Sequence, residues 1–168
     1  MKDLSDVRVV VAALGGDGKG HFTEGPPPHR LTVPGVADNL FVWTSEGTPH
    51  LPDRMGGAPS DIRIPGPGGA KFGIVCFAPH SAGKAPQQAR DAIGVEMADD
   101  GMHGHPTVDY EIVLSGKIDL MLDSGEVRTL TPGTMLVMGG VNHAWRNVYD
   151  EPCIFATVTI GATGSGIG

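Results

Sequence analysis

Two histidines and a carboxylate within seven residues, His103-Gly104-His105-Pro106-Thr107-Val108-Asp109, constrain this chain more than any other feature, together with a later Pro132-Gly133 and His143-Ala144-Trp145-Arg146-Asn147. Side chains two apart on an extended strand point to one face, so the rings of His103 and His105 can grip a single ion. Asp109 and Glu111 share their parity. His143 lies in a separate apolar run beside glycines, and it joins the pair only if a later strand folds back beside the first. A sheet curled into a barrel meets that demand.

The rest of the chain agrees with such a sheet. Short apolar or alternating runs recur at 39–44, 70–78, 108–114, 118–122, 126–130, 134–138 and 153–160. Turn residues separate them and helical periodicity is scarce, so an all-β sandwich or barrel is expected. The 26 Gly and 14 Pro gather at 15–34, at 47–69 and at the corners of the second half, where they mark loops. The apolar run 7–14, interrupted by Arg8, is too short to span a membrane and is read as the first strand. One segment breaks the rhythm: 86–97, PQQARDAIGVEM, predicts a turn or two of helix, weakened by Gly94, placed as a lid just before the histidine pair.

A length of 168 residues suits one domain. With 19 acidic against 12 basic residues and no Lys/Arg cluster, the surface repels phosphate backbones and anionic lipids, which argues against nucleic-acid and membrane partners. Cys76 and Cys153 sit in apolar runs without CxxC spacing and read as packing residues in a cytoplasmic protein.

Imidazole nitrogens with one carboxylate suit Fe(II), Mn(II), Ni(II), Cu(II) or Zn(II), and the lack of a nearby thiolate argues against a closed structural zinc site. Glu111 is the candidate general base, one rung beyond Asp109; the alternative is an ordinary carboxylate satisfied by a partner such as Arg146. Tyr110 has the opposite parity and belongs on the outer face or at a dimer contact. Trp145 and Asn147 share parity with His143, which allows one as pocket floor and the other fixing the following turn, with packing the favoured role for both. His21, His29, His50 and His80 fit no ligand spacing and read as exposed, Arg30 or Arg54 is placed to reach over the barrel mouth, and the methionines, Met55, Met97, Met102, Met121, Met135 and Met138, read as core or pocket filler.

These residues resemble the two motifs of the cupin superfamily. The first has Gly, a spacer, HxH, three or four residues, an acid, six residues and Gly; counting back from Gly116 puts Asp109 at the acidic position usually held by Glu. Gly125, Pro132, Gly133, His143 and Asn147 fill the second. With its arm GPPPHRLTVPG, the chain is similar to small single-domain bacterial cupins. The resemblance implies a double-stranded β-helix (jelly-roll) barrel, a single cupin domain over 1–168 with an N-terminal strand-containing arm and loops at 1–69 and a barrel core at 70–163. It implies one divalent transition metal (Fe, Mn, Ni or Zn) on His103, His105, Asp109 and His143, and a homodimer. The function it implies is a metal-dependent enzyme of dioxygenase, isomerase or lyase type, most readily an oxidoreductase, on a small oxygenated organic molecule; the alternative is a barrel that binds a small molecule or metal without turnover.

Overall fold

The computed structural model describes residues 4–52, 54–81 and 85–164. Its strands run in chain order as β1 (Val10–Leu14), β2 (Gly20–Glu24), β3 (His29–Val33), β4 (Ala37–Ser45), β5 (Ala70–Phe77), β6 (Thr107–Ser115), β7 (Ile118–Leu122), β8 (Val127–Leu130), β9 (Met135–Gly139), β10 (His143–Arg146) and β11 (Cys153–Gly161), with one helix, α1 (Gln87–Ile93), before β6. Every ladder between them is antiparallel. A six-stranded sheet in the order β3-β4-β5-β11-β6-β9 faces a three-stranded sheet in the order β10-β7-β8, and β1 and β2 form a hairpin of their own. This is the all-β architecture expected from the apolar runs, in the jelly-roll form that the resemblance implied. β3 and β4, from the stretch read as arm, belong to the large sheet.

The main core lies between the sheets. Phe77, Val113, Met138, Cys153 and Phe155 of the large sheet meet Ile118, Leu120, Leu130 and Trp145 of the small one. Phe77, Trp145 and Phe155 pack ring against ring, with centroids 5.1 to 6.2 Å apart. Burial lifts the Cys153 thiol to about 12, so it packs as an inert hydrophobe. A second cluster forms on the back of the large sheet, where Leu4 covers Leu40, Ile74 and Ile154.

β6 departs from the usual alternation of a half-buried strand. Its inward positions carry Thr107, Asp109, Glu111 and Val113, all buried, while Tyr110, Ile112 and Leu114 point outward and are exposed. Two carboxyls on the buried face and three large apolar groups on the exposed one invert what stability alone favours. The inward half of that inversion makes the site.

Asn147 closes the corner after β10, as its parity suggested. It is fully buried, its side-chain amide donates to the carbonyls of Phe77 and Glu151, and its oxygen accepts from the Tyr149 amide. Met138 is a core residue, but Met135 is 77% exposed on the outer face of β9, so the filler reading fails there. Helix α1 falls inside the segment read as helical and stops at Gly94, whose φ of 69° supplies a left-handed C-cap.

Candidate metal centre and pocket

The backbone first brings the two halves of the site together. His103 and His143 exchange both backbone hydrogen bonds, at 2.9 and 2.8 Å, forming an isolated antiparallel bridge between the segment before β6 and the start of β10. The histidine pair therefore lies on an extended lead-in to β6 rather than within it, since the strand begins at Thr107. The two-residue spacing acts as expected: the His103 and His105 rings stack, with centroids 5.7 Å apart. The His143 ring lies 4.4 Å from that of His103 and 6.2 Å from that of His105.

Tautomers follow from the neighbours. Nδ1–H of His103 donates to the Gly101 carbonyl at 2.9 Å, and Nδ1–H of His143 donates to the Val141 carbonyl at 3.0 Å. A carbonyl only accepts, so each Nδ1 carries the proton and each Nε2 keeps its lone pair. Burial disfavours the imidazolium form: His103 is pushed down to about 4, and His105 and His143 are also lowered. Among the described residues the buried His105 Nδ1 has no hydrogen-bond partner of good geometry. Neutral rings, those of His103 and His143 fixed through Nδ1, with a carboxylate near, suit a borderline divalent ion. Among the described residues no three His, Cys, Asp or Glu donors already converge on one point, so the residues are assembled without a preset coordination polyhedron.

The carboxyls sit on consecutive inward positions of β6. Asp109 accepts from the Thr107 hydroxyl at 2.6 Å. Burial, reinforced by the charge of Asp109, pushes Glu111 up to about 8, against a hydrogen bond from Thr157 directly across on β11. Its other oxygen, Oε2, is buried with no hydrogen-bond partner among the described residues. Among the described residues Glu111 has no ion pair, so Arg146 does not neutralise it. Trp145 supports His143 edge-on, with centroids 6.0 Å apart and planes at 83°.

These side chains line one end of a cavity of about 190 Å³, roughly six waters' worth of liquid. Its walls are mainly apolar: Val33, Phe41, Phe77 and Phe155 from the large sheet, Ile62 and Ile64 from the loop before β5, and Ala89 and Ile93 from α1. The Ile64 amide donates to the Ile93 carbonyl at 3.0 Å, joining loop and helix into one wall, the place the lid was expected to occupy. Arg30 does not reach over the mouth, because its guanidinium is held by Asp38 on the neighbouring strand.

Lys71 also lines this cavity, and the apolar run it opens gave no hint of that. Only 6% of it is exposed, and burial pulls its ammonium down to about 8. A lysine whose folded pKa is depressed costs stability while it stays protonated, and the cost is relieved as pH rises from about 8 to the unfolded value of 10.5, where only the unfolded chain still binds the proton. Relative to Lys71→Met, the wild-type chain should therefore gain up to about 3 kcal/mol across that window. Denaturant melts of both proteins at stepped pH check this, and parallel profiles would contradict it.

Residues 95–160 match the family described as Cupin domain, and that span holds the three histidines, both carboxyls and the second motif. Residues 95–160 form a cupin domain. Among curated proteins, the chain is 54% identical over 46 residues to "Phomopsin biosynthesis cluster protein C'" of Diaporthe leptostromiformis, covering 27% of this chain and 24% of that one. It is 40% identical over 47 residues to "Cupin-domain-containing oxidoreductase virC" of Hypocrea virens, covering 28% and 24%. The chain thus spans about a quarter of the length of the curated relatives it matches. Among solved structures, AerE from Microcystis aeruginosa aligns with a TM-score of 0.50 at 16% identity over 82% of this chain and 47% of that one, a likeness of fold. Among the described residues no helix is long and apolar enough to cross a membrane.

Proposed function

We propose that this protein binds one divalent transition metal through His103, His105 and His143, with Asp109 as the carboxylate, and acts as an oxidoreductase on a small oxygenated organic molecule. One observation carries the proposal: three neutral imidazoles and two carboxyls line one end of a mainly apolar cavity sized for a small molecule. Burying so many polar groups costs stability, which points to chemistry rather than packing. The oxidoreductase class is supported by the partial likeness to fungal cupin-domain oxidoreductases. A metal bound there supplies Lewis acidity and, for iron or manganese, redox capacity. The chain's own part is to hold imidazole lone pairs ready, exclude water with apolar walls, and place Glu111 Oε2, which has no partner among the described residues, where it can hold or release a proton.

Reconstitution with Fe(II) followed by nitric oxide, a surrogate for dioxygen, tests this. An iron–nitrosyl signal of half-integer spin in electron paramagnetic resonance is expected, reporting an open position on the ion. Iron bound without such a signal would overturn the oxidoreductase reading in favour of a metal-storing or ligand-binding barrel.

The exposed apolar face supports a homodimer as part of the same proposal. Tyr110 pairs with Val137 and Ile112 with Met135 across β6 and β9, and all four are exposed beside Leu114 and Phe72. Among the described residues the β1–β2 hairpin, with Phe22 81% exposed, pairs with no other strand, and an isolated hairpin is marginal in water. Light scattering coupled to size exclusion should give a dimer, converted to monomer by Met135→Glu with Val137→Glu. A wild-type monomer at micromolar concentration would contradict the dimer.

A further inference from the structure

Lys71 stands in the wall of the same cavity, two strands away from the carboxyl end. The ladder registers place Lys71, Thr159 and Asp109 on one rung across β5, β11 and β6, and Gly73, Thr157 and Glu111 on the next. Adjacent strands lie about 4.8 Å apart, so the backbones of Lys71 and Asp109 are separated by about 10 Å. Gly73, next to Lys71 on the inward face, presents no side chain, and both residues line the cavity.

The ammonium of Lys71 is satisfied only in part. It donates to the Arg63 carbonyl and lies 5.3 Å from the centre of the Phe41 ring. Among the described residues it has no ion pair, although it is almost wholly buried. The Asp61 carboxylate attracts it through space but is itself hydrogen-bonded to Arg63, so no anion contacts the buried ammonium directly among the described residues, and with three donors to satisfy that is costly. If its task were only to staple the loop through Arg63, a neutral donor would serve with less desolvation.

We infer that Lys71 is the anchor for an anionic group, a carboxylate, of a small and otherwise apolar molecule that fills the cavity between this cation and the histidine end. The inference rests on the proposed function only for what happens at the far end; the anchoring itself needs no metal. Thr157 and Thr159 place hydroxyls between the two ends, and the aliphatic and aromatic walls accept the body of the ligand. Substrate choice would then follow from charge at one end and shape along the middle.

The test uses metal-free full-length chain and a homologous series of carboxylates from acetate to octanoate, with phenylacetate, each beside its alcohol of equal length, titrated by calorimetry. At least one carboxylate should bind about tenfold or more tightly than its alcohol, and Lys71→Met should abolish that preference. Equal binding of acid and alcohol by the wild-type chain, or no binding by any acid, overturns the inference without recourse to the variant. An unchanged preference in a folded Lys71→Met protein also overturns it. His103→Ala should keep the preference, so failure of the metal centre and failure of the anchor are separable.

Discussion

Gly116→Ala should destabilise this protein by about 3 kcal/mol or more, roughly 10 °C in melting temperature, whereas Gly133→Ala should cost only about 1 kcal/mol. Both glycines have positive φ, 73° and 87°, so both substitutions strain the backbone. The difference lies in what an added Cβ would meet. At Gly116 it would stand 2.1 Å from the Pro152 carbonyl oxygen and 2.9 Å from the Cys153 Cα, backbone atoms that cannot move aside without shifting the start of β11. At Gly133 nothing lies within 4 Å. Because β11 pairs with both β5 and β6, a shift there is passed to the strands on either side. Equilibrium denaturation of the two variants checks the ranking, and equal losses would show that φ strain alone governs both corners.

His143→Ala should weaken metal affinity by at least about 100-fold while leaving the fold intact, an effect larger than that usually seen for groups beyond the ligands. The backbone bridge between residues 103 and 143 survives the substitution, since it uses only amides and carbonyls. Trp145 stays anchored through Phe77 and Phe155. Cobalt(II) titration followed by its visible absorption, with circular dichroism on the same samples, separates the two effects. Unfolding of the variant would mean that the histidine cluster is chiefly packing.

Much of this was legible in the sequence because the signals are local. The HxH spacing, the acid after it and the glycine corners each depend on near neighbours, and the resemblance to two cupin motifs joins them. Trp145 and Asn147 follow from parity with His143. The remainder depends on long-range pairing. Lys71 lies in the apolar run 70–78 with nothing local to single it out; only the register of β5 against β11, and of β11 against β6, sets it on a rung with Asp109. Arg30 has a guanidinium that could serve a pocket mouth, but the β3–β4 pairing puts Asp38 beside it. Met135 follows the apolar alternation of β9 onto a face that the chain itself does not cover. Alternation tells which residues share a face, and not whether that face is inside.

The most direct measurement is metal content by inductively coupled plasma mass spectrometry, on tag-free protein offered Fe(II), Mn(II), Ni(II) and Zn(II) in turn and then desalted, beside His103→Ala. About one equivalent of at least one ion per chain, lost in the variant, is the predicted result, as expected where imidazoles are the principal ligands. Retention of no ion by the wild-type chain, or equal retention by both proteins, would contradict a metal centre at His103, His105 and His143.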